Sequence, residues 1–247
     1  MKQLDGRVAI VTGASSGIGK AIAEAFAAEG ASVVLVARRP KVLDEVAAGI
    51  KAKGGSAIAA PTDVTREAEV IALFAKVLEN LGRVDILVNN AGVARGAPIE
   101  ELTLKTWQEL LDVNLTAAFL CSREAVRTMK DRGGGRIINM ASISSRAPRQ
   151  HSAAYTTSKY ALEGLTRSLT FDGRAYGVVA SVIHPGAVAT GFTPGAKPGP
   201  GKTPQDYLMD PADIARIAVL MCTLPPEVNL FDATILPNLQ PSFLGRG

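Results

Sequence analysis

The sequence predicts an α/β fold in which a doubly wound parallel sheet carries helices on both faces. Short apolar runs rich in β-branched residues alternate with segments of helical periodicity from the start of the 247-residue chain. Helices placed between strands in this way serve as the right-handed crossovers that a parallel sheet requires. No linker or shift in composition divides the chain before Gly191. We therefore expect a single domain over residues 1–247, with strands covered on both faces.

The individual elements follow in order from the same patterns. Predicted strands are the short apolar runs RVAIVTG, ASVVLVAR, SAIAAPTDV, VDILVNNAG, GRIINMAS, VVASVIHPG and DATILP. Predicted helices are IGKAIAEAFAAEG, KVLDEVAAGIKAKGG, REAEVIALFAKVLENLG, one long helix from about Leu104 to Arg132, AAYTTSKYALEGLTRSLTFDGRAYG, and a last helix from roughly Ala212 to Thr223. The glycine that closes the first helical run is a common helix terminator. Strands and helices therefore alternate along the chain.

The composition is typical of a globular protein with a filled core. Hydrophobic residues make up 47% of the chain and charged residues 20%, which argues against disorder. The net charge is +4 and the pI about 9.1, but the basic residues are scattered and form no stripe of the kind that nucleic acids require. A field this weak favours, at most, a small anionic ligand.

The cysteines and the N-terminal residues indicate in which cellular compartment the protein is expected. Cys121 and Cys222 lie far apart in apolar helical patterns, and we expect both to be buried, reduced thiols. The N-terminus lacks the apolar stretch of a signal peptide, and no apolar run reaches the ~18 residues of a membrane span. We expect a soluble, cytoplasmic protein that binds neither membranes nor nucleic acid.

One segment departs from the alternation of strands and helices. Residues Gly191 to Tyr207 are dense in Gly and Pro and cannot form a long regular element. Long loops in compact domains are often functional, and this one falls at the carboxyl edge of the sheet. We expect a lid over a substrate site at about residues 191–210; the alternative is an irregular surface loop.

A glycine-rich loop joins the first strand to the first helix. In TGASSGIG (Thr12 to Gly19), the glycines at 13, 17 and 19 allow a tight turn and a close approach of a pyrophosphate. The following helix offers free N–H groups and its positive end to such an anion. Because a strand precedes the loop and a helix follows it, we expect a dinucleotide-binding site.

The end of the second strand indicates which dinucleotide is bound. An acidic residue there normally binds the adenosine ribose hydroxyls, but Ala37 takes that place and Arg38 and Arg39 follow. A guanidinium clamps a 2′-phosphate, which a carboxylate would repel. We therefore predict NADP(H) in preference to NAD(H). The alternative is that both arginines are solvated surface charges, and Ser16 in the glycine loop adds no further basic group.

A tyrosine and a lysine share one face of the fifth predicted helix. Tyr155 precedes Lys159 by four positions, which places them on one helical face, whereas Tyr160 points elsewhere and is expected to pack. A free phenol has a pKa of ~10. An ammonium ~4 Å away would lower that pKa by about three units before desolvation is counted. The pair therefore predicts an acid–base group tuned toward neutral pH.

Taken together, the motifs resemble those of the short-chain dehydrogenase/reductase family, whose members adopt the Rossmann fold. The resemblance runs from about Gly6 to Thr190. It rests on TGASSGIG, Asp63-Val64, NNAG (Asn89 to Gly92), Asn114 in LDVNL, Ser142 in MASIS, YTTSK, and PGAVAT (Pro185 to Thr190). It implies an alcohol dehydrogenase or carbonyl reductase that acts on CH–OH groups.

The resemblance also implies roles for individual residues. Tyr155 would protonate the carbonyl during reduction and act as the base in reverse, while Ser142 would hydrogen-bond that carbonyl. Lys159 would bind the nicotinamide ribose and lower the pKa of Tyr155, and Asn114 would hold a water that links Lys159 to solvent. The expected cofactor-binding residues are Gly13, Ser15, Ser16, Gly17, Ile18, Gly19, Arg38, Arg39, Asp63, Val64, Asn90, Ala91, Gly92, Tyr155, Lys159, Pro185, Gly186, Val188 and Thr190.

Two features depart from the family pattern. His184 stands where an Asn is often found before Pro-Gly, and the chain ends in FDATILPNLQPSFLGRG rather than in a strand leading to a Gly-Gly pair. The second departure indicates that the C-terminal wall of the site is not generic. Relatives commonly form dimers or tetramers, and we expect a homo-oligomer, with Phe243 and Leu244 of the tail as possible contacts to a neighbouring subunit.

Basic loop residues bear on the substrate, and the absence of other motifs bears on the alternative functions. Arg95, Arg149, His151 and Lys197 lie in stretches that border the substrate pocket in relatives, so an anionic substrate and solvated loop charges both remain open. No His/Cys cluster has metal-ligand spacing, so we expect metal-free catalysis. A hydrolase built on Ser142 is disfavoured because the G-x-S-x-G elbow is missing. A non-catalytic NADP-binding sensor or scaffold is the alternative function.

Overall fold

The computed structural model describes residues 2–191, 197–199 and 207–238. Its seven strands are β1 (Val8–Thr12), β2 (Ser32–Ala37), β3 (Ser56–Pro61), β4 (Ile86–Asn89), β5 (Gly135–Met140), β6 (Val178–Pro185) and β7 (Asp232–Ile235). They form one sheet in the order β3-β2-β1-β4-β5-β6-β7, and every neighbouring pair is parallel. The seven predicted strands are all present.

Helices cover both faces of this sheet. They are α1 (Gly17–Ala28), α2 (Pro40–Ala52), α3 (Glu67–Leu81), α4 (Leu104–Leu111), α5 (Ala117–Met129), α6 (Ala153–Gly173) and α7 (Pro211–Thr223). Side chains of α1, α2 and α7 pack into one apolar core, and those of α3, α5 and α6 pack into the other. The predicted doubly wound parallel sheet with helices on both faces is confirmed.

Strand β1 shows why its run of apolar residues has no alternation. Ala9 and Val11 join the core under α1, α2 and α7, while Val8 and Ile10 join the opposite core. Successive side chains of a strand point to opposite faces. Both faces of a central parallel strand are buried, so all five of its positions are apolar or nearly so.

The order of the strands creates a crevice at the carboxyl edge of the sheet. The chain runs outward from β1 through β2 to β3, then returns to place β4 on the other side of β1. The loops after β1 and β4 therefore leave the sheet in opposite directions and part above it. Doubly wound folds bind ligands at such a switch point. Thr12 and Asn89, which end these two strands, mark its position.

The long helix predicted from Leu104 to Arg132 is not continuous, and this prediction needs correction. α4 ends at Leu111, residues Asp112–Thr116 form a π-helical turn, and α5 follows and ends at Met129. A π turn inserts one extra residue into a helix, often at a functional site. Apolar periodicity does not reveal it, because both flanking segments keep helical spacing.

Both cysteines are free thiols. Cys121 is buried as expected, whereas Cys222 is only half-buried, which corrects the expectation for it. Burial raises the pKa of each thiol to about 12, with the Glu124 charge contributing at Cys121. Both are therefore protonated and unreactive near neutral pH.

Part of the predicted lid and the C-terminal tail lie outside the described residues. These are residues 192–196, 200–206 and 239–247, which include Phe243 and Leu244. In the described remainder of the loop, Met209 is held to the segment that follows β6, since the N–H of Ala189 donates to the carbonyl of Met209 at 3.0 Å. None of the helices in the described part of the chain is both long and apolar enough to cross a membrane.

Candidate active site

A crevice of about 560 Å³ opens at the switch point between β1 and β4. Its lining includes most of the residues that the sequence analysis assigned to a cofactor. These are Gly13, Ser15, Ser16, Gly17, Ile18, Arg38, Arg39, Asp63, Val64, Asn90, Ala91, Gly92 and Thr190. The lining comes from the glycine loop, the end of β2 and the loop after β4, so the crevice spans the three segments that an extended dinucleotide would contact.

The glycine loop leaves no room for side chains. Gly13 has a φ of +66°, a conformation that residues with a Cβ rarely adopt. A Cβ on Gly19 would lie 2.5 Å from the carbonyl oxygen of Gly13. Gly19 does not line the crevice itself. Its role is to let the first turn of α1 pack against the loop, which points the free N–H groups of the helix at the crevice.

Thr12 fastens the loop after β4 to the glycine loop. Its hydroxyl oxygen accepts hydrogen bonds from the N–H groups of Asn90 (2.9 Å) and Ala91 (3.0 Å), and the hydroxyl donates to the carbonyl of Val88. The Asn90 side chain donates in turn to the carbonyl of Thr12 at 3.0 Å. The two walls of the crevice are thereby held in fixed register.

Arg38 and Arg39 stand exposed at the far end of the crevice. Arg39 donates to the hydroxyl of Ser15 at 3.4 Å. Neither arginine forms an ion pair within 4.0 Å with any described carboxylate. Burial raises the pKa of the Asp63 carboxyl, but hydrogen bonds from Thr65 and the charges of Arg38 and Arg66 outweigh it, so the pKa lies below its usual value. The Arg38 guanidinium is therefore close enough to act on groups inside the crevice.

Lys159 is buried beneath the crevice. Only 5% of the residue is exposed, and its Nζ donates to the carbonyl of Met140 at 2.7 Å. Burial lowers the pKa of the ammonium to about 8. A Cβ on Gly92 would lie 3.7 Å from this Nζ, so the loop after β4 passes directly over the lysine.

Tyr155 corrects the electrostatic expectation from the sequence. Burial raises the pKa of the phenol above its ordinary value, and interactions with the Ser142 side chain and the Arg149 charge offset this only in part. The Lys159 Nζ lies 5.7 Å from the centre of the Tyr155 ring and points to the Met140 carbonyl. The expected lowering by Lys159 is therefore wrong for this structure, because desolvation dominates and the ammonium is directed elsewhere.

Ser142 lies opposite Tyr155, at the start of a short 3₁₀ turn after β5. It is 7% exposed, and its hydroxyl oxygen accepts a hydrogen bond from the N–H of Ser144 at 3.1 Å. The hydroxyl hydrogen is not used in this bond and can be donated to the Tyr155 phenol oxygen, whose pKa this contact lowers, or to a substrate. Ser142, Tyr155 and Lys159 are thus brought together between the end of β5 and the first turns of α6.

Asn114 occupies the π-helical turn and is 1% exposed. Its side chain accepts from the N–H of Val93 at 2.8 Å and donates to the carbonyl of Val93 at 2.9 Å. It also donates to the hydroxyl of Ser158 at 3.1 Å. The Asn114 amide therefore links the loop after β4 to α6, next to Lys159. The π turn is what directs this amide toward the interior.

The remaining predicted residues lie beside the crevice. Pro185 ends β6, and the N–H of Gly186 donates to the carbonyl of Ile235 at 2.7 Å, while Val188 pairs with Met209. Sequence analysis missed several lining residues, namely Val36, Thr62, Thr65, Ala94, Val113 and Gly191. Thr62 directly precedes Asp63, and Val113 directly precedes Asn114. Their position next to a predicted site residue is the one sequence feature that could have identified them.

The four basic residues proposed near the substrate differ in their surroundings. Arg95 donates to the carboxylate of Glu109 at 2.6 Å, so its charge is already paired. Arg149 is exposed and its charge lowers the pKa of Tyr155. His151 has a φ of +58° and Lys197 is exposed. Of these, Arg149 is the residue whose charge reaches the catalytic region.

One group of described residues has the composition of a metal site. Ligand atoms of Glu163, His184 and Asp232 lie within 4.8 Å of one another. The guanidinium of Arg146 stands among them, donating to Glu163 at 2.5 Å and also to Asp232. Because this side chain is a permanent cation, the position that a metal ion would take is filled.

The fold and the crevice define a nucleotide-binding α/β protein, and comparison with known proteins gives the family. A family profile described as short chain dehydrogenase matches residues 7–199. The chain belongs to the short-chain dehydrogenase/reductase family and is an oxidoreductase of that type. Gluconate 5-dehydrogenase of Gluconobacter oxydans is 40% identical over 190 residues, covering 77% of this chain and 74% of that protein.

Solved structures of relatives agree along nearly the whole chain. A metagenomic short-chain oxidoreductase in complex with NADP has a TM-score of 0.83 and 35% identity, covering 96% of this chain and 99% of that one. A 7α-hydroxysteroid dehydrogenase complexed with NADH and 7-oxo glycochenodeoxycholic acid has a TM-score of 0.88 and 32% identity, covering 97% and 96%. The family thus binds nicotinamide cofactors, and its members differ in which one they hold.

Proposed function

We propose that this protein is an NADP(H)-dependent oxidoreductase that interconverts a ketone or aldehyde and the corresponding alcohol. The observation that carries the proposal is the grouping of Ser142, Tyr155 and buried Lys159 next to Gly92, which lines the same crevice as the glycine loop and Arg38. A hydrolase or a metal-dependent enzyme would need neither the crevice nor the buried lysine. The proposal covers the chain as a single domain with a lid at about residues 191–210.

The side chains divide the acid–base work among them. Ser142 donates its free hydroxyl hydrogen to the substrate carbonyl oxygen, which polarises the carbonyl and fixes its position. A bound nicotinamide supplies the hydride to the carbonyl carbon in reduction and accepts it in oxidation. Tyr155 gives its phenolic proton to the carbonyl oxygen. Since burial raises the pKa of Tyr155, the phenol is protonated near neutral pH and suited to act as the acid.

Lys159 supports the tyrosine from below. With a pKa of about 8, its ammonium is mostly protonated near neutral pH yet gives up a proton with little cost. It would therefore hold the ribose of a bound nicotinamide, and it serves as the proton source that restores Tyr155 after each transfer. Asn114 holds the loop over this lysine through Val93 and keeps the site closed from the side of β4.

Turnover with a panel of carbonyl compounds tests the catalytic proposal. We expect loss of NADPH absorbance with at least one class among oxo sugar acids, oxo-steroids, simple ketones and ketoacyl thioesters. Comparison of acidic with uncharged members of each class reports whether the Arg149 charge selects substrates. Tyr155→Phe should lower kcat by at least about 10³-fold and leave NADPH binding intact, because only the proton donor is lost.

Two results would contradict the catalytic proposal. Retained turnover in Tyr155→Phe would contradict the assignment of Tyr155 as the proton donor. NADPH binding by the wild-type protein, measured by fluorescence, with no turnover on any class would favour a sensor or scaffold instead.

Arg38→Ala tests the choice of cofactor. We expect the variant to bind NADPH about 10- to 100-fold more weakly, because a charge-assisted contact to the 2′-phosphate is lost, while NADH binding changes by less than about threefold. Titration of each cofactor by fluorescence measures both constants. Arg66→Ala is the matched control, since Arg66 is also exposed and acts on Asp63 but does not line the crevice. An equal loss of affinity for NADPH and NADH would contradict the assignment of Arg38 as a contact to the 2′-phosphate.

A further inference from the structure

We propose that His184 is a positioning residue, which as a neutral Nδ1–H imidazole holds the Ser142 turn in place through the hydroxyl of Ser145. The inference rests on the proposed function, in which Ser142 binds the substrate carbonyl. His184 is the residue directly before Pro185-Gly186, at the end of the sixth predicted strand.

Short contacts link the imidazole to the turn that carries Ser142. His184 lies near the end of β6 and is fully buried. Its Nδ1 is 2.7 Å from the Ser145 hydroxyl oxygen and 3.3 Å from the Ser142 carbonyl oxygen. The Ser145 hydroxyl donates to the same carbonyl oxygen at 2.6 Å. These three residues therefore close a ring of hydrogen bonds directly behind Ser142.

The direction of each hydrogen bond follows from what its partner can do. The Ser142 carbonyl can only accept, so the one hydrogen of the Ser145 hydroxyl is used there. The Ser145 oxygen must then accept from His184, which places the proton on Nδ1. On the other side of the ring, Nε2 faces the Arg146 guanidinium at 3.3 Å. Because a guanidinium only donates, Nε2 must carry a lone pair.

The charges around the ring hold this neutral form. Nε2 is 3.4 Å from the Asp232 carboxylate of β7, which by itself would favour an imidazolium. Arg146 neutralises that carboxylate and also binds Glu163 of α6 at 2.5 Å. Burial and the Arg146 charge lower the pKa of His184, against the opposing effects of Asp232, the Ser142 hydrogen bond and Glu163. The imidazole is therefore neutral near pH 7.

The network connects Ser142 to the helix that carries its catalytic partners. Glu163 lies four positions after Lys159 on α6, and Lys159 four after Tyr155, so the three share one helical face. Arg146 links this helical face to β7, because it binds both Glu163 and Asp232. Arg146 also contacts His184, which in turn contacts the Ser142 carbonyl. The distance between the Ser142 hydroxyl and Tyr155 is thereby set by side chains behind the site, which fits the need of catalysis for exact placement of reacting groups.

A pair of amide substitutions separates the two sides of the imidazole. In His184→Asn the amide nitrogen takes the place of Nδ1 and keeps a donor for Ser145, whereas in His184→Gln the terminal amide lies near the Nε2 position and that donor is lost. We expect kcat to stay within about threefold in the Asn variant and to fall about 10- to 100-fold in the Gln variant. The Kd for NADPH should be unchanged in both.

Two further variants distinguish positioning from general stability. Ser145→Ala should lower kcat as His184→Gln does, and the double variant should lose no more than either single one, because both interrupt one path. Ser181→Ala is the control. It removes a buried hydroxyl on the same strand, bonded to Asn229 at 2.8 Å, and should lower the melting temperature without lowering kcat. Equal kcat in the Asn and Gln variants, or a fall in kcat that follows melting temperature in all four variants, would overturn the inference.

The tautomer can be measured without any substrate, which keeps this inference separate from the proposed function. The chain has two histidines, so two-bond ¹H–¹⁵N correlation spectra of labelled protein contain two ring patterns. His151→Asn assigns them, since Asn tolerates the positive φ of residue 151. We expect the Nδ1–H pattern for His184 at pH 7. An Nε2–H or imidazolium pattern would refute the proposed arrangement even in a fully active enzyme, and the Nδ1–H pattern in an inactive one would leave only the function in error.

Discussion

At the scale of single residues, burial governs the protonation of the acid–base groups in the site. It raises the pKa of Tyr155 and lowers that of Lys159 to about 8, so both shifts favour the uncharged form. Lys159 forms no salt bridge with any carboxylate in the part of the chain described. The carbonyl of Met140 is its hydrogen-bond acceptor. Burying a protonated lysine in this position therefore lowers the stability of the folded protein. We attribute the presence of Lys159 to its role in the site.

Lys159→Met should make this cost visible as a function of pH. The ordinary pKa of 10.5 falls to about 8 on folding. Below pH 8 both states are protonated and the folded state bears the full cost; between pH 8 and 10.5 unfolding takes up a proton, and above that the cost is gone. The wild-type protein should therefore gain stability relative to the variant by up to about 3 kcal/mol across this window.

Urea unfolding at several pH values between 7 and 10.5 measures the difference between Lys159→Met and wild type. The lost hydrogen bond to Met140 adds a constant offset and does not alter the slope. Lys41→Met, on the exposed side of α2, is the control for the effect of the substitution itself. A difference that does not change with pH would mean that Lys159 titrates alike in both states.

At the scale of elements, the π-helical turn Asp112–Thr116 decides where the loop after β4 lies. The extra residue in this turn points Asn114 inward, where its side chain satisfies both backbone groups of Val93 and reaches Ser158. Regular α-helical geometry from Leu104 to Met129 would rotate either α4 or α5 out of its packing. The turn thus serves the site while both flanking helices keep their apolar contacts.

Asn114→Ala should cost about 2–3 kcal/mol of unfolding free energy, because it leaves the N–H and carbonyl of Val93 without partners in a half-buried place. Denaturant unfolding measures the loss. Gln108→Ala removes a hydrogen bond to Asp112 on the exposed surface of the preceding helix and should change stability by less than about 0.5 kcal/mol. Similar losses in the two variants would show that the π turn is held by something other than the Asn114 side chain.

At the scale of the whole molecule, the two faces of the sheet are filled, yet the outer surfaces of α5 and α6 carry exposed aromatic side chains. Phe119 is 45% exposed, Tyr160 44% and Phe171 70%. Tyr160, which the sequence predicts to pack, is thus only partly covered by the rest of the chain. Exposed apolar side chains grouped on neighbouring helices often mark a contact between subunits. We propose that the protein self-associates through these two helices.

Light scattering after gel filtration tests this proposal. We expect the wild-type mass to be a multiple of 25.7 kDa and Phe119→Arg to shift it toward a single chain, because a charge would be buried without a partner. Ile58→Arg, at an exposed apolar position on β3 at the edge of the sheet, is the matched control and should leave the mass unchanged. A wild-type mass of 25.7 kDa would end the proposal.

The sequence by itself determined the order of strands and helices, the glycine loop and the pairing of Tyr155 with Lys159 on one helix. These depend on local periodicity and on spacings within a few residues, which the chain carries in its own pattern. The π turn around Asn114, the pKa of Tyr155 and the network behind Ser142 could not be predicted in this way. Asn114 meets Val93 and Ser158, and Ser142 meets His184, only when the sheet has formed. The pKa of Tyr155 depends on the burial that follows from packing.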